Sequence, residues 1–340
     1  MTTEISPLIK EKAPLILAEI KKAKSILLHC HPSPDPDSVG SALAMKFAIE
    51  QLGKKATVIK GDSDIPQAFM HFPGAKEIVL KSFWEIDLKG FDLFIIVDAS
   101  SPGMISQLNT PVFPLSIKTI VIDHHATNKS FAEINLVDIS SPATAFILFQ
   151  LFKEWNIQVT PDIALNLFMG MYTDTGGFKY PPTDYRVFSA VAELVRIVPD
   201  YTKCVFTMEN SEKKESIYFS ALALNSIETF CHDHVVIAAV SYDALIKKGI
   251  PVDAIGGGDG MANRLKSVIG WNIGIIMIEL EPNKIKVSMR SRDPEKYDVS
   301  KLASSLGGGG HRAAAGIKLS MSLEDAKKSV VAKAKELYNL

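Results

Sequence analysis

The sequence predicts an α/β protein: a parallel-sheet domain over residues 1–198, a helical connector over 199–230, and a smaller α+β domain over 231–340. Three observations predict it. Short apolar runs alternate with helical segments through the first half, as parallel strands joined by crossover helices do. Several of those runs end in Asp or His, where open α/β sheets place their ligands. The chain has 340 residues, beyond the size at which a single core stops growing, so two domains are expected.

With 47% apolar residues and a formal net charge of −1, the chain reads as a soluble globular protein. It lacks the clustered basic face that duplex DNA requires, but leaves room for a small anionic ligand held by a few local cations. Cys30, Cys204 and Cys231 are isolated, which argues against a disulfide framework or a thiolate zinc site. Residues 1–25 mix Glu and Lys through their apolar positions, unlike a signal peptide. No run is long and uncharged enough to span a membrane. A cytoplasmic protein is the expectation.

Residues 7–23 read as an amphipathic helix leading into a strand at 25–29. In the turn 31–41, three prolines forbid helix, so the apolar helix is expected at 42–52. His31, Asp35 and Asp37 form H-x3-D-x-D at the strand's carboxyl end. A helix cap would need one residue of the Asp35–Ser38 group; it does not explain two carboxylates and a histidine. Strands follow at 55–59 and 91–97, the second ending in Asp98, which taken alone reads as a helix cap before it reads as a ligand. Ile120, Val121 and Ile122 then deliver Asp123, His124 and His125 into a polar turn. An exposed turn would explain that tripeptide alone, whereas buried charge is costly unless paired or metal-bound. Helices are expected at 142–155 and 161–172, the latter running into Asp174 and a Gly-Gly turn. Caps belong at helix beginnings, so a turn-stabilising role is the alternative for Asp174.

The sum is more informative than any part. Separate segments offer His31, Asp35, Asp37, Asp98, His124 and Asp174, each at the end of a regular element. Carboxylates with two imidazoles suit two divalent ions sharing a carboxylate. Imidazole favours Mn²⁺ over Mg²⁺, with Fe²⁺, Co²⁺ or Zn²⁺ as alternatives. Two ions about 3.5–4 Å apart are the usual device for hydrolysing phosphoesters.

In the second half, 184–198 and 211–230 read as helical and 199–210 as a connector, with the boundary near residue 200. Cys231, His232, Asp233 and His234 precede a strand at 235–240 and read as a solvated turn rather than a metal site. Gly256, Gly257, Gly258, Asp259 and Gly260 follow no strand, so they are no dinucleotide fingerprint; they read as a mobile entry to a helix at 261–268. Strands at 273–279 and 284–290 precede Gly307–Gly310, whose backbone N–H groups can approach an anion or base closely. Arg290 offers a phosphate fork and His311 a stacking or donor group. Alone, a flexible loop and a surface ion pair would explain these residues; side by side they make a pocket for one nucleotide end.

H-x-S-P-D-x-D, the strand-end Asp98, D-H-H-A and T-D-T-G-G-F, in this order, resemble the motifs of the DHH phosphoesterases. The S-x-R-S strand and the four-glycine run with His311 and Ala314-Ala315-Gly316 resemble the associated DHHA1 substrate domain. Length and architecture are most similar to the nanoRNase/pAp-phosphatase branch and its stand-alone cyclic-dinucleotide phosphodiesterase relatives. Two positions depart from the pattern: Pro36 stands where motif one carries glycine, and Lys179 where motif four carries arginine.

The resemblance implies a DHH catalytic domain joined by the helical connector to the DHHA1 domain, with the active site in the cleft. One ion would take His31 and Asp35, the other Asp37, His124 and Asp174, with Asp98 bridging. Asp123 would orient His124, and His125 would donate a hydrogen bond to the scissile phosphate. Ser288, Arg290, Ser291, Gly308, Gly309, Gly310 and His311 would bind substrate, a short oligonucleotide or dinucleotide. No membrane or duplex DNA enters this reading, and a homodimer is compatible with it. The alternatives are a cyclic-dinucleotide phosphodiesterase, a RecJ-like single-strand exonuclease and a nucleotide sensor without turnover.

Overall fold

The computed structural model describes residues 4–252, 255 and 259–340, so the glycines expected to form a mobile entry at 256–258 lie outside the described residues. The chain divides into two compact units, residues 1–211 and 212–340. No helix among the described residues is long and apolar enough to cross a membrane.

The first unit is built on a five-stranded parallel sheet. Its strands are β1 (Ile26–His29), β2 (Ala56–Ile59), β3 (Leu93–Val97), β4 (Lys118–Asp123) and β5 (Ile134–Val137), in the order β2-β1-β3-β4-β5. The central β3 is apolar throughout and buried on both faces, as parallel sheets require. Leu28, Ile95 and Ile122 face helices on one side, while Leu27, Phe94, Ile96 and Val121 face a second apolar cluster with Phe83 and Ile105. The helices are α1 (Pro7–Lys22), α2 (Pro36–Gln51), α3 (Thr144–Glu154), α4 (Pro161–Asp174), α5 (Tyr185–Ile197) and α6 (Tyr201–Glu209).

Two expectations are corrected here. Helix α2 starts at Pro36, inside the stretch expected to be turn, with the Asp35 carboxylate accepting the N–H of Ser38 at the cap. Proline forbids a helix interior but suits the first helical position, whose N–H has no intrahelical partner anyway. The expected connector 199–230 is divided between the units. In α6, Cys204 is buried in the first unit's core and Tyr201, Val205 and Met208 pack against it. In α7 (Lys214–Asn225), Phe219 and Ala223 are buried in the second unit.

That unit carries a six-stranded mixed sheet, β10-β11-β9-β8-β7-β6, in which only β7 and β8 run parallel. The strands are β6 (Glu228–Phe230), β7 (Val235–Val240), β8 (Ile273–Glu281), β9 (Lys284–Ser291), β10 (Gly309–His311) and β11 (Ala314–Ser320). β6 occupies the end of the expected helix 211–230, after which Cys231, His232 and Asp233 adopt positive φ in the turn. Helices α10 (Val299–Ser304) and α11 (Leu323–Tyr338) cover one face; α7, α8 (Tyr242–Lys248) and α9 (Asp259–Lys266) pack on the other. Part of the glycine run is therefore strand, since Gly309 and Gly310 pair with Gly316 and Ala315.

Candidate metal centre

Because β1, β3 and β4 are neighbours and run parallel, their carboxyl ends meet on one edge, bringing His31, Asp98 and the Asp123-His124-His125 turn together. Each is fixed locally. The N–H of His31 donates to Ser38 Oγ at 2.9 Å, tying the β1 end to the first turn of α2. Asp98 leaves the sheet at φ 60°, a left-handed conformation rare outside glycine. Its N–H still donates to Ile122 O at 2.9 Å, so the turn starts from a strand held in register.

Asp37 is buried and accepts from Thr144 N at 2.7 Å, Ala145 N at 3.0 Å and Ser41 Oγ at 3.3 Å. Those amides open α3, whose cap residue Ala143 has no side-chain acceptor, so Asp37 caps the helix from another element at its positive end. Gly170 of α4 makes room, because a Cβ there would lie 2.5 Å from Asp37 Oδ1 and 2.7 Å from Ala145 Cβ.

Asp98 accepts from Thr144 Oγ1 at 2.9 Å through Oδ1. Its Oδ2 lies 3.5 Å from His31 Nε2 and its Oδ1 3.5 Å from His124 Nε2. His31 Nε2 also contacts the Asp98 carbonyl, and its Nδ1 lies 3.6 Å from Asp35 Oδ2. His124 Nε2 is 3.2 Å from Asp174 Oδ2, the last residue of α4. In each of three groups the donor atoms lie within 4.8 Å of one another: His31, Asp35 and Asp98; Asp37, His124 and Asp174; and Asp98, Asp123, His124 and His125.

The electrostatics fit a cationic guest. Burial, then the carboxylates of Asp37 and Asp35, push Asp98 well above the usual carboxylate range. Asp174 rises to about 8 through burial and the same two neighbours, and Asp37 to about 6 through burial and Asp35. Clustered like charges take up protons or cations. Burial and the adjacent His125 lower His124 to about 4, leaving it neutral at pH 7. Its buried Nε2 has no hydrogen-bond partner among the described residues, although it points at two carboxylates, the arrangement of a lone pair awaiting a metal. The cluster therefore suits divalent metal binding.

One expected role is corrected. Asp123 accepts from His125 Nδ1 at 2.7 Å and from Asn128 Nδ2 at 2.6 Å, so it orients His125 rather than His124. Side chains at neighbouring positions leave the strand end in different directions, and only the second imidazole turns back to the carboxylate. Burial opposes protonation of His125, but the hydrogen bond and charge of Asp123 outweigh it and raise the imidazole's pKa. Thr144, Ser41 and Asn128 went unnoticed in sequence; nothing marks them until α2, α3 and the β4 turn are assembled.

The expected substrate residues lie in the second unit. Ser288 and Arg290 share one face of β9, where Arg290 Nη1 donates to Met289 O at 2.9 Å. Gly309, Gly310 and His311 form the exposed edge strand β10, next to Gly308. Ser291 does not join them. It has the parity of the core residue Met289, and its hydroxyl is buried without a hydrogen-bond partner among the described residues.

A parallel sheet that gathers carboxylates and imidazoles along its carboxyl edge, in a cluster suited to divalent metal, followed by a separate mixed-sheet unit, is the arrangement of an α/β phosphoesterase. The chain belongs to the DHH/DHHA1 family: residues 25–171 match the DHH family, N-terminal domain, and residues 234–339 the DHHA1 domain. It is 28% identical over 326 residues to the bifunctional oligoribonuclease and PAP phosphatase NrnA of Thermus thermophilus, covering 94% of this chain and 93% of that one. In fold it is similar to an exopolyphosphatase-related protein from Bacteroides fragilis, with a TM-score of 0.84, 21% identity and full coverage of both chains. It also resembles RecJ of Thermus thermophilus in complex with Mn²⁺, with a TM-score of 0.54 and 16% identity, over 98% of this chain and 56% of that one.

Proposed function

We propose that this protein hydrolyses very short oligonucleotides, and bisphosphorylated nucleotides such as pAp, to mononucleotides with the help of two divalent ions, Mn²⁺ foremost. The observation that carries this reading is the placement of Asp98, whose two oxygens face His31 and His124 from either side at 3.5 Å. One carboxylate can thus serve two ligand sets, His31 with Asp35 and Asp37 with His124 and Asp174. Bound ions would supply charge neutralisation on phosphoryl oxygens and water of lowered pKa.

The chain's own groups do the rest. Thr144 holds Asp98, and the amides of α3 hold Asp37, so ligand geometry is set in advance. His125, oriented by Asp123, whose hydrogen bond and charge raise its pKa, donates to a phosphate oxygen. In the second unit Ser288, Arg290, His311 and the backbone of Gly308–Gly310 take one nucleotide end. The lengthwise similarity to the Thermus NrnA supports a short substrate, as does a net charge of −1, which suits few phosphates rather than many.

The test is product analysis with Mn²⁺ and, separately, linear pApA, pAp and cyclic di-AMP, each with a chelator control. Chelator-sensitive AMP from pApA or pAp, with the cyclic compound intact, is expected. Asp98→Asn should lower the rate by roughly three orders of magnitude or more. Rapid ring opening would transfer the protein to cyclic-dinucleotide turnover, and no product from any of the three would overturn the reading.

A further inference from the structure

Lys286 and Lys318 are direct cross-strand partners in the antiparallel β9–β11 pair. Their chain neighbours Ile285, Val287, Ile317 and Leu319 are buried in the core beneath α11, so the strand's period turns both lysines to the opposite face. Direct partners hold their Cβ atoms about 4.5–5.5 Å apart, where like charges repel. Neither lysine side chain has an ion pair or hydrogen bond among the described residues. By contrast Lys284, two positions away, pairs with Glu281 at 2.6 Å. An uncompensated pair of cations facing each other is a cost that an anion between them would remove.

The surroundings suit an anion. The two lysines, with Ser288, Gly307, Gly308 and Gly316, line a groove of about 370 Å³. Its glycine wall is bare backbone: a Cβ on Gly308 would lie 2.3 Å from Gly316 O. Lys286 precedes Arg290 by four residues on the same face of β9, roughly 13 Å along the strand. The groove therefore adjoins the Arg290 and His311 end through Ser288 and Gly308 and extends it toward the lysine pair. Two opposed unit charges match a terminal phosphate, which carries about −1.5 to −2 at pH 7, better than a bridging phosphodiester with its single charge.

We propose that Lys286 and Lys318 form a subsite for a terminal phosphate, so that the enzyme selects its substrate by a phosphomonoester end as well as by length. The proposal rests on the reading of the protein as a hydrolase of short oligonucleotides. It makes the two lysines specificity residues for the same reaction.

The experiment compares pApA with ApA, which differ only in that terminal phosphate, on the full chain with Mn²⁺. The wild type should favour pApA in kcat/KM. In Lys286→Ala/Lys318→Ala that preference should fall at least about tenfold, as expected for losing hydrogen bonds to a charged group. Lys286→Arg/Lys318→Arg should retain most of it. The single variant Lys318→Glu, which replaces the like-charge pair with an opposite one, should abolish the preference, and thermal melting confirms that each variant is folded. An unchanged preference in the double alanine variant overturns the proposal while leaving the functional reading intact. Should the wild type hydrolyse neither compound, the functional reading falls, and calorimetric binding of pApA and ApA in chelator decides the subsite alone. Equal affinities for the two would then overturn it.

Discussion

The carboxylate of Asp37 accepts the N–H of Thr144, 107 residues away in sequence, at 2.7 Å. The hydroxyl of the same Thr144 donates to Asp98 at 2.9 Å. One residue at the start of α3 therefore fixes two carboxylates of the cluster, one through its backbone and one through its side chain. Both would otherwise be buried like charges free to turn apart, and the hydrogen bonds oppose the rise that burial imposes on Asp37.

Thr144→Val keeps the backbone bond to Asp37 and the side-chain volume but removes the donor to Asp98. Metal affinity or turnover should fall about 10–100-fold, the usual effect of losing a group that orients a ligand. Thr144→Ser should restore most of it. Titration of the metal into chelated protein, alongside kcat, checks this; wild-type values for both in the valine variant would contradict it.

Asp123→Asn separates the two adjacent histidines. Its carboxylate raises the pKa of His125, so removing the charge should move the alkaline limb of the kcat profile to lower pH, with metal affinity close to wild type. A pH–rate profile at saturating metal reads the first and calorimetry the second. Lost metal affinity with an unshifted profile would mean that Asp123 acts through His124 instead.

The metal-free protein should become less stable as pH rises from about 6.5 to 8. Asp174, at about 8 in the folded chain, holds a proton there that the unfolded chain has released, and Asp98, raised well above its ordinary value, acts in the same direction. Where the folded state binds more protons, stability falls with rising pH. His125, also raised, acts in the same direction. His124, lowered to about 4, and His29, lowered to about 3 chiefly by burial, act oppositely, but their effect fades as pH rises above the ordinary histidine value of 6.5. Melting of chelated protein across this window measures the slope, and Mn²⁺ should raise Tm more at pH 8 than at pH 6.5. A flat profile without metal would contradict the account.

Much of the fold was legible because its strongest signals are local. Continuous apolar runs marked β1, β3, β4, β7 and β8, since strands buried on both faces need no polar alternation. Less legible elements depend on partners. β5 is mostly half-buried, and β11 begins Ala-Ala-Gly with little intrinsic strand preference, forming in register with β9. The start of α2 was misplaced because a proline at the first helical position and one in an interior look alike until the cap is seen.

By itself the sequence determined which carboxylates and imidazoles stand at the ends of regular elements, because residue chemistry and strand-end position are local properties written in short motifs. It did not contain the strand order. β3 lies between β1 and β4, and only that arrangement sets Asp98 midway between His31 and His124. Nor did it show that Thr144 braces the cluster, that Asp123 serves His125, or that Lys286 meets Lys318. Those relationships depend on which strands pair and which helix ends abut, and burial of apolar faces by the chain as a whole decides both.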